Sequence, residues 1–280
     1  MRYELEPGML EQFRKFLIEE EKSMATIQKY MRDVQGFLHY IGDRGYADKE
    51  MVIAYKKTLL EKYSIISANS MLVAVNRFLK WAGCYECTVK MFKVQRETFR
   101  SPERELTKEE YHRLLRTARS EGKQRLYLLM ETIGSTGIRI SELRFITVQA
   151  VHTGRAAVSL KGKTRTVLLP SQLCRKLKHY IKEKKIYEGS VFVTRTGNPV
   201  DRSNILHEMK QLCELAGVER KKIFPHNLRH LFVCTYYRLE KNISHLADLL
   251  GHSSIDTTRI YTQTSGEEQM RQINLLGLII

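Results

Sequence analysis

The sequence contains no apolar run that approaches the roughly 18 residues of a membrane-spanning helix. Its first residues, MRYELEPG, are acidic in character and lack the pattern of a secretory signal peptide. Both absences argue against a membrane or exported protein. We therefore expect a soluble, cytoplasmic protein without a membrane partner.

Cysteine is scarce, and its spacing gives no disulfide framework, so we expect reduced thiols. The five cysteines are Cys84, Cys87, Cys174, Cys213 and Cys234. The first two form a C-x-x-C pair, but no second pair of Cys or His follows at the spacing of metal ligands. We expect neither a metal nor a cofactor.

Acidic residues are few relative to basic ones: the 280 residues include 31 Asp and Glu against 47 Lys and Arg, a net charge of +16. A hydrophobic fraction of 42% indicates a globular chain rather than a disordered one. The excess of basic residues is unevenly distributed. Residues 1–99 carry 16 basic and 13 acidic side chains, whereas residues 100–280 carry 31 basic and 18 acidic ones. This balance favours a polyanionic partner, bound mainly by the second part of the chain.

The stretch 225–263, PHNLRHLFVCTYYRLEKNISHLADLLGHSSIDTTRIYTQ, groups several side chains that can act on a phosphodiester. His226 and Arg229 are three positions apart, so on a predicted helix they lie on one face. His252 follows an apolar helical pattern that ends in a glycine of the C-cap type. Tyr261 lies near the far end of a further short predicted helix. The segment thus presents a phenol beside three groups that can bind phosphate.

These groups suit the attack of a phenolic oxygen on a phosphodiester, with Arg and His stabilising charge on the non-bridging oxygens. The spacing H-x-L-R-H, then L-G-H, then T-x-x-Y resembles the signature of the tyrosine recombinase, or phage integrase, family. The matching residues are His226, Leu228, Arg229, His230, Leu250, Gly251, His252, Thr258 and Tyr261. The resemblance is to members with an Xer-like, two-domain layout.

A second motif lies at residues 136–143, TGIRISEL, where the family has T-G-x-R-x-S-E-L. The resemblance implies that Arg139 is the first catalytic arginine. Glu142 is interpreted as a residue that orients or balances this charge rather than as a base. His230, beside Arg229, is similarly interpreted as a supporting or packing residue.

A third motif, residues 160–170, departs from the family pattern G-K-G-x-K-x-R-x-V-P-L. It reads LKGKTRTVLLP, so it lacks the first Gly, is about one residue shorter, and has V-L-L-P in place of V-P-L. We favour Lys161 over Lys163 as the catalytic lysine, because the Lys-Gly pair is kept at a predicted hairpin tip. The remaining basic side chains near the motifs are interpreted as phosphate contacts. They are Lys163, Arg165, Lys221 and Lys222.

Helical periodicity dominates the first part of the chain, with amphipathic segments over about 7–18, 26–41 and 49–63 and from about 69 onward. Together with S-x-x-T-x-x-x-Y at residues 23–30, this predicted bundle resembles the core-binding domain that clamps DNA in the family. Residues 95–104 lose the periodicity and predict a linker. We predict a DNA-clamping domain over 1–99 and a catalytic domain over 100–280.

The second part begins with a capping box, Thr107 with Glu110, ahead of a helix. Between the helices, three β-rich segments at 150–151, 156–160 and 166–169 predict a three-stranded antiparallel sheet. The predicted fold is therefore mainly α with a small β-sheet: a helical bundle followed by a recombinase-like catalytic domain.

The resemblance implies that Tyr261 attacks, with His226 as the base, while Arg139, Arg229 and His252 bind the phosphate. Lys161 would protonate the leaving 5′ oxygen. The product would be a 3′-phosphotyrosyl intermediate, formed without metal or ATP, in a site-specific recombinase. The sequence does not distinguish integration, excision, inversion and resolution.

Three other functions fit parts of the pattern. A DNA-binding regulator would explain the charge and a helix-turn-helix spacing at 244–262, but not Arg139 or the lysine hairpin. A type IB topoisomerase uses similar chemistry without synapsis. A metallo-nuclease would use histidines, but no carboxylate lies at ligand spacing among them.

The tail, residues 270–280, is too apolar to remain in water without a partner surface. In the family this segment docks on a neighbouring protomer in a tetramer on DNA, and a tail folded on its own domain is the alternative. The expected partners are double-stranded DNA with paired recombination sites and further copies of this chain.

Overall fold

The computed structural model describes residues 2–6, 8–94, 105–160, 163–194 and 196–251, and beyond these only 254, 255, 258, 270, 271, 274 and 275. The side chains of Asp43, Leu160 and Lys163 are not described. The chain divides into two compact units, Met1–Arg96 and Glu97–Ile280. The predicted linker at 95–104, with its boundary near residue 100, lies outside the described residues.

The first unit contains four helices and a two-stranded antiparallel sheet. The helices are α1 (Met9–Glu19), α2 (Met24–Ile41), α3 (Lys49–Lys62) and α4 (Ile65–Trp81), and the strands are β1 (Tyr3–Glu4) and β2 (Tyr46–Ala47). Side-chain caps set three of the helix starts, since Ser23, Asp48 and Ser64 each accept a hydrogen bond from a backbone N–H in the first turn. The fourth helix therefore begins at Ile65, four residues before the predicted start near Asn69.

Aromatic side chains form the centre of this unit. Phe13 of α1 meets the Phe78 ring of α4 edge-on at a centroid distance of 5.3 Å, and Trp81 at 5.5 Å. Phe37 of α2 is fully buried in the same core. Such pairs add to the free energy of burial, so the bundle has a core of its own.

Residues 88–92 run along α4 and are held by two asparagines two turns apart. Asn76 donates to the carbonyl of Val89 and accepts from its N–H, at 2.7 and 2.9 Å. Asn69 makes the same pair of bonds with Phe92, at 2.9 and 2.8 Å. Each amide side chain thus makes the two hydrogen bonds that a neighbouring strand would make. We call residues 88–92 the asparagine-held strap.

The second unit is also mainly helical. Its helices are α5 (Lys108–Ser120), α6 (Gln124–Thr136), α7 (Val148–Thr153), α8 (Ser171–Glu183), α9 (Arg202–Ala216), α10 (Pro225–Glu240) and α11 (Ile243–Leu250). Strands β3 (Arg155–Leu160) and β4 (Lys163–Leu168) pair antiparallel, with Leu160 opposite Lys163. The predicted capping box is present, because Thr107 and Glu110 cap each other's backbone at the start of α5. The mainly helical, two-part fold with small antiparallel sheets is confirmed.

The prediction of three strands in the sheet is wrong for the described residues. Ala150 and Val151 lie in the short helix α7, not in a strand. The Thr147 side chain accepts from the Ala150 N–H and starts the helix, and Gly154, at φ +72°, ends it. Two adjacent apolar residues were too few to separate a strand from a helical turn, and the described sheet has two strands.

Helix α10 packs against α6 and α11, which brings the two arginine motifs into one region. No helix in the described part of the chain is long and apolar enough to cross a membrane. All five cysteines are free thiols, and Cys84 and Cys87 are buried.

Candidate active site

The first arginine motif is shaped by a glycine. Gly137 ends α6 in the left-handed conformation, at φ +64°, and its N–H donates to the carbonyl of Ile133. A β-carbon at this position would overlap the ring of Phe232 on α10. Only glycine therefore permits this close contact between the end of α6 and α10, and Arg139 follows two residues later.

Glu142 holds the backbone and the side chain of Arg139. Its Oε2 accepts from the Arg139 N–H and its Oε1 from Arg139 Nη1, both at 2.9 Å. The Arg139 side chain is 38% exposed. Its Nε and Nη2 have no acceptor among the described residues, so they can donate to a phosphate.

Arg165 of β4 binds the same carboxylate from the other side. Its Nη1 and Nη2 donate to Oε1 and Oε2 of Glu142 at 2.9 and 2.8 Å, a bidentate pair. Burial works to raise the pKa of Glu142, but the hydrogen bonds from Arg165 and Arg139 outweigh it and hold that pKa below its ordinary value. Glu142 is therefore ionised at neutral pH and balances the two guanidinium groups.

Arg229 is 2% exposed, and it connects three elements. Its Nη1 donates to the carbonyl of Gly137, and its Nη2 donates to the carbonyl of Leu250 at 3.2 Å. The second arginine motif thus contacts the backbone two residues before Arg139 and, at the end of α11, two residues before His252.

His226 lies one turn before Arg229 at the start of α10, where Pro225 occupies the first helical position. The residue as a whole is exposed. Desolvation by the surrounding protein, with the positive charges of Arg229, Arg139 and Arg202, lowers the pKa of His226 from its ordinary value. The imidazole is therefore neutral at pH 7 and can accept a proton.

Three of the six predicted catalytic residues lie outside the described residues: Lys161, His252 and Tyr261. Two residues of the same motifs are described: Gly251, immediately before His252, and Thr258, three positions before Tyr261. Gly251 adopts φ +62° as the C-cap of α11, as predicted, and Thr258 of the T-x-x-Y motif is fully buried.

The residues predicted to bind DNA have different surroundings. Lys222 is only 13% exposed and donates to Glu110 at 2.8 Å, which ties it to the capping box of α5. Lys221 is exposed and lies 2.9 Å from Glu219. The Lys163 side chain is outside the description, and Arg165 is largely buried on Glu142. His230, predicted as a supporting residue, contacts the Cys234 sulfur one turn later, with Nδ1 at 3.5 Å.

Arg202 is a residue that the sequence did not single out. It lies at the start of α9 and contributes to the positive field on His226. No motif connects positions 202 and 226, so only the tertiary fold brings their charges together. The described residues contain no group of three or more His, Cys, Asp or Glu that could hold a metal ion.

Comparison with known proteins gives consistent matches. Residues 104–268 match the phage integrase family, and residues 10–83 match the N-terminal SAM-like domain of phage integrases. The tyrosine recombinase XerA of Pyrococcus furiosus is 26% identical over 294 residues, which cover 99% of this chain and 97% of the relative.

Two solved structures share the fold. XerH site-specific recombinase bound to palindromic difH substrate, in a post-cleavage complex, aligns with a TM-score of 0.75 at 18% identity and covers 95% of this chain and 83% of that one. A lambda integrase tetramer bound to a Holliday junction aligns with a TM-score of 0.70 at 16% identity and covers 91% and 76%.

The family match extends over the catalytic motifs and over more than half of the chain. It includes both arginine motifs, the lysine hairpin and the T-x-x-Y segment. The predicted resemblance is thereby confirmed, and the chain belongs to the phage integrase family of tyrosine recombinases.

Proposed function

We propose that this protein is a site-specific DNA recombinase that cleaves and rejoins strands through a 3′-phosphotyrosyl intermediate. One observation carries the proposal. Arg229 donates to the carbonyl of Gly137, so two motifs about ninety positions apart in the chain meet at one point. Both guanidinium groups and the neutral His226 are thereby brought to the same region of the second unit.

In the proposed reaction, Tyr261 Oη attacks the phosphorus and the bond from phosphorus to the 5′ oxygen breaks. His226 accepts the phenol proton, which is needed because a phenol pKa of about 10 leaves the group protonated at pH 7. Arg139, Arg229 and His252 stabilise the non-bridging oxygens. Rejoining is the reverse reaction with a new 5′ hydroxyl, so neither ATP nor a metal is consumed.

We propose Lys161 as the acid that protonates the leaving 5′ oxygen. Lys161→Ala should slow cleavage, whereas a substrate with a bridging 5′-phosphorothiolate should restore the rate, because sulfur leaves without protonation. Gel quantification of the covalent product on both substrates measures this. Lys163→Ala is the matched control, and rescue of that variant alone would assign the acid to Lys163.

The charge distribution and the helical first unit support double-stranded DNA as the partner, with residues 1–99 clamping the duplex and residues 100–280 catalysing the reaction. XerH is seen bound to difH and lambda integrase as a tetramer on a Holliday junction. We propose a homo-oligomer, a tetramer on paired sites, in which the tail 270–280 docks on a neighbouring protomer. A cytoplasmic location is proposed because DNA is met there, and the free cysteines are compatible with it.

The proposal predicts a denaturation-resistant protein–DNA adduct on a nicked suicide substrate from the host's own locus, formed equally well in EDTA. Mass spectrometry of the adduct should locate the bond on Tyr261. Loss of cleavage in EDTA would contradict the proposal in favour of a metallo-nuclease. Relaxation of supercoiled DNA carrying one site, with no exchange between two sites, would indicate a topoisomerase instead.

A further inference from the structure

Arg165 is held in the protein rather than displayed on its surface. It lies on β4 opposite Val158 of β3, and its side chain is 15% exposed. Both terminal nitrogens donate to Glu142, and Nε is buried without an acceptor among the described residues. Unlike Arg229, whose terminal nitrogens bind neutral carbonyls, Arg165 is paired with a carboxylate that offsets its positive charge, so it offers little to a DNA phosphate.

The carboxylate that Arg165 grips is the one that holds Arg139. Each Glu142 oxygen accepts two bonds, one from Arg165 and one from Arg139. Glu142 is 1% exposed, so in the intact protein its carboxylate is bound by the two arginines rather than by bulk water. Without Arg165, only the two hydrogen bonds from Arg139 would orient the carboxylate.

The stem of Arg165 contacts a second part of the site. A β-carbon on Gly251 would lie 2.5 Å from Arg165 Cδ, so the backbone of this helix end rests directly on the arginine. The preceding carbonyl, of Leu250, accepts from Arg229 at 3.2 Å. The buried Arg229 and the largely buried Arg165 thus contact Leu250 and Gly251, the two residues at the end of α11.

We propose that Arg165 is a positioning residue for DNA cleavage. It fixes the Arg139 guanidinium through Glu142 and packs against the backbone of Gly251 at the end of α11. The inference rests on the proposed recombinase function. It replaces the direct phosphate contact that the sequence predicted for this arginine, and it makes the β3–β4 hairpin a support for the arginine pocket as well as the carrier of the catalytic lysine.

Arg165→Gln should slow single-turnover cleavage at saturating protein by about tenfold or more, because misplaced catalytic groups lose rate even when substrate is bound. The salt dependence of DNA affinity should keep its wild-type slope. Arg155→Gln, an exposed arginine at the other end of the same hairpin, is the matched control and should cleave at the wild-type rate. The proposal is overturned if Arg165→Gln lowers the slope by about 0.9, the value for one lost phosphate contact, while cleavage at saturation is unchanged.

The pathway through Glu142 is tested by a double-mutant cycle on the cleavage rate. If Arg165 acts through Glu142, Arg165→Gln should slow cleavage by a much smaller factor in the Glu142→Gln variant than in the wild type. Fully multiplicative effects would refute the link. Where Arg165→Gln does not fold, Arg165→Lys retains a charge without the bidentate fork. It should cleave more slowly than wild type, and a wild-type rate would overturn the proposal.

A DNA-free measurement separates this inference from the proposed function. Because Glu142 has a lowered pKa in the folded protein, its contribution to stability is present above its unfolded pKa and is lost as pH falls through the folded pKa. Arg165→Gln should raise that pKa and move acid unfolding to higher pH, and an unchanged transition refutes the link between Arg165 and Glu142. Absence of a covalent adduct from the wild-type protein would instead refute the recombinase function.

Discussion

Tyr261→Phe should retain wild-type affinity for a single DNA site and form no covalent adduct. The substitution removes one oxygen atom, the nucleophile, and leaves the positive charge of Arg139, Arg229 and Lys161 in place to bind phosphate. Because rejoining depends on the same oxygen, recombination should fall to background. Mobility-shift binding and denaturing gels of the same samples measure both quantities.

Tyr187→Phe is a suitable control, since this tyrosine is 84% exposed in the second unit and belongs to none of the motifs. It should behave as the wild type in both assays. A denaturation-resistant adduct that persists in Tyr261→Phe would contradict the assignment of the nucleophile and would indicate that another hydroxyl group attacks the phosphorus.

Replacing Arg229 or Arg139 by alanine should slow cleavage in both cases but reduce the stability of the fold by different amounts. Arg229→Ala removes the donor to two buried carbonyls, those of Gly137 and Leu250, and an unpaired buried polar group costs about 1–3 kcal/mol. We expect a loss of about 3 kcal/mol in the free energy of unfolding, together with at least about a hundredfold slower cleavage from the loss of one phosphate donor.

Arg139→Ala is the matched comparison, because its side chain is partly exposed and Glu142 keeps the bidentate bond from Arg165. It should slow cleavage by a similar factor, about a hundredfold or more, at a cost of about 1 kcal/mol or less in stability. Thermal unfolding and single-turnover cleavage of both variants test this. Equal melting temperatures would show that the carbonyl contacts of Arg229 do not stabilise the fold.

Features encoded within a few residues were predictable from the sequence. Thr107 with Glu110 was predicted as a capping box, because cap and helix are neighbours in the chain. The glycine after α11 was predicted in the same way. The start of α4 was missed, since the cap at Ser64 precedes the apolar pattern by several residues.

Features that depend on distant partners were not predictable. Arg165 and Lys222 were interpreted from the sequence as phosphate contacts. In the structure they are paired with Glu142 and Glu110, which lie 23 and 112 positions away. The motif predicted that Glu142 supports Arg139, but not that a second arginine shares its carboxylate. The sequence pattern therefore predicted candidate residues for the site, while the tertiary fold determined which of the described ones are held inside the protein.

The asparagine-held strap affects the distance over which the two units can separate. If the chain left the first unit at Trp81, the last residue of α4, residues 82–94 would join the connection. An extended residue spans at most about 3.3–3.6 Å, so roughly 45 Å of contour length is involved. Asn69 and Asn76 remove most of that length by fixing the segment to the first unit as far as Phe92. In the proposed function, a shorter connection raises the effective concentration of the second unit near DNA bound by the first. The Asn69 and Asn76 side chains would then influence how readily the second unit engages the DNA.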